Sequence, residues 1–387
     1  MGKKILIITY FKSVNPGTFL QAYSVQKGMK LIYPDSEITF LRTDHKRKLN
    51  ITVSQKMSLY NILLSKMYSL VRKLIYRTLE KNTFKDSDIL FNCFDYNEDE
   101  FVDYVNNFDM LIVGSDTILE QVSQENQIGI MWGNERIKIP QIMFAVSADD
   151  CIENFKSVDF FGSLEKKLLT FKQIGVRDDI VKSFFIEKLN IPEHFILKQP
   201  DPTYLLPLIL FKLKNSQISK LKKTKGKIAI FNFNRRFIYR KDLATALKGM
   251  GYKLVSIEYD PDCDLSFKNL QPFEWAALFH YCEVVFTERF HDTVFGLRYN
   301  KPVFSIDWQR KKINENGSSK RSEILKEYGL SAHHITIFNQ ESIKLIPDKV
   351  ADLVRNFDVG HNQIINDRLI KRAENVLNHI RYDLKME

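Results

Sequence analysis

The chain has 387 residues, 44% apolar and 27% charged, with 57 Lys and Arg against 47 Asp and Glu for a net charge of +10. Those fractions are ordinary for soluble globular domains of about 100–200 residues, so two or three are expected, each with a core of its own. The longest later apolar run, YLLPLILF, falls short of the roughly 18–20 residues of a membrane span, and the positive balance favours an anionic partner: a phosphorylated substrate, an acidic membrane surface or nucleic acid.

Strands and helices alternate from the N-terminus on. KKILIITY (3–10) is an apolar, β-branched run of strand length, too short for a signal peptide. The turn SVNPG follows, and TFLQAYSVQKGMKLI (18–32) has helical periodicity, with Thr18 the expected N-cap. With the strand SEITFLRT (36–43) this makes a βαβ unit and predicts a parallel sheet. SLYNILLSKMYSLVRKLIYRTLEK (58–81) is an amphipathic helix. Packing against the sheet is the commoner arrangement for such a stripe, and a membrane-surface helix is the alternative.

Further strands are expected at 108–116, 140–148, 171–178 and 195–202. They end in Ser115-Asp116, Ser147, Arg177-Asp178 and Asp201, where ligands of open α/β sheets bind. The lysine-rich stretch 212–226 reads as a linker. Strands are then expected at 227–234, 252–259, 282–288, 302–307 and 333–339, and helices at 241–250, 272–280, 290–299, 341–357 and 361–384. The expected architecture is α/β: an N-terminal Rossmann-like domain (1–211), the linker (212–226), a C-terminal Rossmann-like domain (227–358) and a final helical segment (359–387) that packs back on the first domain, with a cleft between the domains.

The four cysteines, Cys93, Cys151, Cys263 and Cys282, form no CxxC pair and lie near no histidine at zinc-ligand spacing. Buried thiols in a reducing cytoplasm are expected, and no metal. GxGxxG after the first strand, a P-loop and a clear DxD are all missing, so no bound cofactor is expected. The basic runs at 44–48, 220–227 and 310–312 lack the aromatic–basic signature of nucleic-acid binding, and solvated surface charge is the plainer account of them.

The chemistry centres on TERFHDTVFGLRYNKPVFSID (287–307). An apolar strand gives out at Phe286-Thr287, and Thr287 or Glu288 is expected to cap the next helix. Arg289 and His291 then fall at or just before its first turn, where free amides and the helix dipole favour an anion. Arg289 adds a forked cation, and His291 a group that exchanges protons near neutrality.

Six segments occur in order: NPGTFLQAY (15–23), FDMLIVGSD (108–116), FAVSA (144–148), IGVRDD (174–179), QPDPTYLL (199–206) and FTERFHDTVFGLRYNKPVFSID (286–307). Together they resemble the polysaccharide pyruvyl transferase family along nearly the whole chain. The resemblance implies a GT-B-like enzyme that moves a pyruvyl group from phosphoenolpyruvate to a sugar, free or lipid-linked, forming a cyclic ketal. The family's functional arginine and histidine match Arg289 and His291, and the arginine of its V-R-[DE] segment matches Arg177. The chain departs from the pattern at Asp292, where the family usually has glycine, at Thr117-Ile118-Leu119 after the GSD, and at Ser147-Ala148-Asp149.

A donor with a phosphate and a carboxylate needs several cations, a proton for its methylene carbon and a base for the attacking hydroxyl. His291 is the expected acid, with Arg289 and Arg177 on the anionic groups. Lys320 and Arg321 are candidates for closing the site, and Ser115, Asn15 and Gly17 for lining it. Asp116 and Asp201 are candidates for sugar contact or base, although in D-P-T a carboxylate that merely caps a turn is the commoner reading for Asp201. A nucleotide-sugar glycosyltransferase on the same frame is the alternative. The expected location is the cytoplasm, with the basic runs holding the protein to anionic lipid headgroups.

Overall fold

The computed structural model describes residues 2–44, 59–120, 128–148, 158–234, 236–308 and 319–383. The basic runs at 45–48 and 310–312, Asp149 and Cys151 lie outside them.

Two sheets form, every strand pairing in them parallel. The first contains β1 (Lys4–Ile8), β2 (Glu37–Asp44), β3 (Asp86–Asn92), β4 (Met110–Val113), β5 (Gln141–Val146), β6 (Phe171–Val176) and β7 (Ile196–Lys198), in the order β3-β2-β1-β4-β5-β6-β7. The second contains β8 (Lys227–Asn232), β9 (Tyr252–Ser256), β10 (Leu265–Ser266), β11 (Val284–Thr287), β12 (Val303–Asp307) and β13 (His334–Thr336), in the order β10-β9-β8-β11-β12-β13. Each sheet reverses its strand order once, between β1 and β4 and between β8 and β11. A crevice opens at such a reversal, beyond the carboxyl ends of the strands.

The helices are α1 (Pro16–Ile32), α2 (Leu59–Thr83), α3 (Glu98–Val105), α4 (Val158–Leu168), α5 (Asp179–Glu187), α6 (Asn215–Lys223), α7 (Arg240–Gly249), α8 (Pro272–Leu278), α9 (Phe290–Arg298), α10 (Lys320–Glu327), α11 (Gln340–Lys344), α12 (Ile346–Arg355) and α13 (Val359–Asp383). Side chains alternate across the strands. In β1, Leu6 and Ile8 face an outer core, while Ile5 and Ile7 face a layer shared by the two domains. In β8, Ala229 and Phe231 face outward and Ile230 faces the shared layer. Phe19 and Leu20 of α1, Trp275 of α8, Phe295 of α9 and Leu377 of α13 fill that layer. Helix α13 crosses close to α1, where a Cβ on Gly28 would stand 3.0 Å from Leu377 Cδ2.

Two local expectations are corrected. Thr18 does not cap α1: Asn15 does, because Pro16 and Gly17 already occupy the first turn. The stretch 212–226 runs between the two sheets and is helical over Asn215–Lys223. Ile218 and Leu221 give it one apolar side, so it folds as α6, buries Leu221, and ties to α8 through the Lys214–Glu274 ion pair at 3.0 Å. Helix α2 packs on the body with one side only. Tyr76 and Glu80 are buried, whereas Leu63, Met67, Leu70 and Leu74 are exposed.

Candidate functional site

The two order reversals face each other, so loops from both domains converge. On the first side, β1 runs into the turn that starts α1. Asn15 Oδ1 accepts from the Gly17 amide at 3.0 Å, satisfying one free donor of the helix. Gly17 lies directly against His291 of the other domain. A Cβ there would come within 2.3 Å of His291 Nδ1 and 2.6 Å of its Cβ, so only glycine permits this approach.

On the second side, β11 ends at Thr287, whose hydroxyl accepts from the Arg289 amide at 2.9 Å. The N-cap of α9 is Arg289 itself, not Thr287 or Glu288, and it makes no side-chain cap. His291 follows in the first turn. Asp292 turns back into the domain and accepts from Asn232 Nδ2 at 2.5 Å and Thr287 Oγ1 at 2.8 Å. The Asp292 carboxylate thus fastens α9 to the end of β8. Burial pushes its pKa up to about 6, against the opposing pull of Arg289, Asn232 and Thr287.

Asp201 joins the two sides. Its Oδ1 accepts from the Thr203 amide at 2.9 Å, which is the turn cap expected of it. Its Oδ2 does more: it accepts from Arg177 Nη1 at 2.5 Å and stands 3.5 Å from His291 Nε2. Burial raises this carboxyl, but His291, Arg177 and Thr203 together outweigh burial and hold it well below the usual carboxylate range. Asp201 is therefore ionised throughout the working pH range and suits an imidazolium better than it suits base work. His291 Nε2 is buried and has no hydrogen bond of its own.

Arg177 leaves the end of β6, lies 4.7 Å from the Phe290 ring centroid, and keeps a buried Nε without a partner. Its Nη2 is 3.7 Å from Asp116. Asp116 adopts φ 86°, a left-handed conformation unusual for aspartate, and also accepts from Thr18 Oγ1 at 3.1 Å. Arg289 is more than a third exposed, 3.8 Å from Glu258 Oε1, the same oxygen that pairs with Arg72 at 3.0 Å. Lys320 opens α10 and stands 5.9 Å from the Phe290 ring. Arg177, Lys198, Asp201, Phe290, Lys320 and Glu323 line a small pocket of about 20 Å³ that opens to solvent.

Not every expected residue lines the site. Ser115 is fully buried and donates to Gln21, behind the β4 end. Arg321 is held by the Asp307 carboxylate and the Glu288 carbonyl, bracing the turn before α9. Sequence reading overlooked Glu258 and Arg72. Glu258 stands just past the β9 strand end and shares the position rule that singled out Asp116. Arg72 has no local signal, since only the path of α2 brings it there.

No curated protein sequence matches the chain. In structure it is similar to Staphylococcus aureus MnaA in its co-structure with UDP, with TM-score 0.55 and 10% identity over 100% of this chain and 98% of that one. Anabaena HepE in complex with UDP gives TM-score 0.56 and 11% identity over 100% of both chains. Neisseria meningitidis UDP-GlcNAc 2-epimerase bound to UDP-GlcNAc gives 0.52 and 11% over 99% and 100%. At such identities the likeness concerns the fold, which is GT-B-like. The family model for polysaccharide pyruvyl transferase matches residues 15–310, from the Asn15 cap through Arg177, Asp201 and the Arg289–His291 turn. The chain is a transferase, and it belongs to the polysaccharide pyruvyl transferase family.

Proposed function

We propose that the protein transfers a pyruvyl group from phosphoenolpyruvate to two hydroxyls of a sugar in a cell-surface polysaccharide or its lipid-linked precursor. The products are a cyclic ketal and inorganic phosphate. One observation carries the reading: a buried imidazole without a hydrogen bond of its own stands between two domains, beside a carboxylate–arginine pair and at a helix N-terminus that begins with arginine.

His291 protonates the methylene carbon, and C2 becomes electrophilic. The first sugar hydroxyl adds to C2 and gives up its proton. Phosphate leaves, the second hydroxyl adds, and its proton is released in turn, so two hydroxyl protons offset the one donated and the one carried off on phosphate. Asp201 Oδ2, 3.5 Å from Nε2, fixes the ring. Arg289, the more exposed cation, takes the phosphate. Arg177 stands where the donor carboxylate would replace part of its pairing with Asp116. Asp116 serves the attacking hydroxyl, because Asp201 is too strongly paired to accept a proton.

Replacing His291 by Ala is expected to lower kcat by about 10²–10⁴-fold while the protein still folds. Retained turnover in that variant would overturn the assignment. Ligand-induced stabilisation separates this donor from a nucleotide sugar, since only what binds the native state raises its melting point. Phosphoenolpyruvate should raise it and UDP should not. The reverse result would favour glycosyl transfer.

A further inference from the structure

Helix α2 carries an exposed apolar stripe that the described residues leave uncovered. Leu63, Met67, Leu70 and Leu74 follow each other at steps of four, three and four residues, which keeps them on one face. Each is about half exposed or more, from 49% for Met67 to 67% for Leu63. Lys66, Lys73 and Arg77, all exposed, flank the stripe, and exposed Lys81 continues it. The one acid of the helix, Glu80, is buried and turned away, accepting from the Ser13 amide at 2.9 Å. Exposed charge on this helix is therefore entirely positive.

We propose that this face of α2 docks on an anionic lipid bilayer. An apolar stripe with cations beside it sinks its leucines to the acyl boundary and sets its lysines and arginines among acidic headgroups. Charge also argues against a second copy of the chain on this face. Two such helices packed together would oppose Lys66, Lys73 and Arg77 to like residues, with no exposed acid on either helix to answer them. The helix lies on the surface and does not cross, for no helix among the described residues is long and apolar enough to span.

The inner face of α2 reaches the cleft. Arg72 holds Glu258 at 3.0 Å beside Arg289, Lys268 of the second domain donates to Tyr68 Oη at 3.0 Å, and Glu80 braces the loop that leads to Gly17. Docking through the outer face brings the Arg72–Glu258–Arg289 edge of the cleft to one helix diameter, ~10 Å, from the headgroups, on the side from which a lipid-linked sugar would be presented. That consequence for the acceptor rests on the proposed reaction. The docking does not.

Vesicle flotation of the full chain tests it, with phosphatidylcholine alone against phosphatidylcholine mixed with phosphatidylglycerol. The protein is expected to float only with the anionic mixture, and less so at high salt. The double variant Leu70→Ser/Leu74→Ser should lose partitioning on the order of a hundredfold, and Lys73→Gln/Arg77→Gln about thirtyfold. Both alter exposed side chains and should melt as the parent does. Absence of flotation, flotation indifferent to both variants, or a dimer in sedimentation that Leu70→Ser/Leu74→Ser dissolves would each overturn the proposal. Because the readout needs no catalysis, a failure of the pyruvyl reading would leave this result intact.

Discussion

Gly17 illustrates how a backbone position controls chemistry in another domain. A methyl group there meets the His291 ring well inside van der Waals contact. In Gly17→Ala the ring must turn or the domains must part. Overpacking costs about 1–3 kcal/mol, and the better helix propensity of alanine returns up to about 1 kcal/mol. The expected outcome is a melting point lowered by a few degrees and turnover reduced at least about tenfold, since a misplacement of about 1 Å is enough for such a loss. Full activity would show that the contact does not position His291. Asp292 calls for a separate experiment. Its folded-state pKa is raised from 3.8 to about 6, so the folded protein binds the proton more tightly than the unfolded chain does. Its contribution is present below about pH 4 and is lost as the pH rises to 6. Asn can accept the same two hydrogen bonds without charge. Asp292→Asn should therefore remove that slope and raise stability at neutral pH by up to about 3 kcal/mol, read from urea midpoints at several pH values. A slope that survives the substitution would assign it to another group.

The elements that sequence reading recovers are those with strong apolar runs, such as β1, β4, β5 and β11, and the more periodic helices; it names none over α3, α4, α5 or α10, although Asn97, Asp178 and Ser319 cap three of these. It misses β3 and β10, and for a shared reason. Both are edge strands. DSDILFN of β3 mixes acids into a run that pairs on one side only, with a register shift against β2, and β10 is two residues long. Edges are kept short and polar, which is also what hides them. Helix α6 was hidden in a different way, its lysines masking a narrow apolar side that only α8 reveals. Helix α13 carries more weight than its terminal place suggests. Leu369, Ala373, Val376, Leu377 and Ile380 are buried in the shared layer, and Tyr33 Oη donates to the Ile380 carbonyl at 3.4 Å. Leu377→Ala, next to Gly28, is expected to cost about 2–5 kcal/mol, measured by denaturant unfolding. A cost under 1 kcal/mol would show that α13 is only loosely held.

Two-domain enzymes with a polar interface open and close freely, but a large apolar interface works against that. Here one apolar layer runs from Ile5 and Phe19 through Trp275 and Phe295 to Leu377 without a break between the domains. A buried polar chain reinforces it. Tyr204 Oη pairs with Tyr328 Oη at 2.6 Å, Tyr328 donates to Asn366 at 2.6 Å, and Arg298 donates to the Leu206 carbonyl while lying 5.3 Å from the Tyr204 ring. The two domains should therefore melt together. One calorimetric transition, with calorimetric and van't Hoff enthalpies in agreement, is the expected result. Two resolved transitions would show that the shared layer does not couple them.

Strand and helix alternation, the placement of Arg177, Arg289 and His291 at strand ends, and the family itself were legible in the chain. They rest on hydrophobic period, turn chemistry and ordered motifs, all of which act between near neighbours in sequence. The roles of the remaining groups depended on packing between distant segments. Asp201 reads as a turn cap until Arg177 and His291 are brought to its second oxygen. Ser115 and Arg321 read as site residues until Gln21 and Asp307 claim them. The apolar side of α2 reads as core until the body of the protein covers the opposite side. A side chain's local sequence limits what it can do, and the segments that fold against it determine which of those things it does.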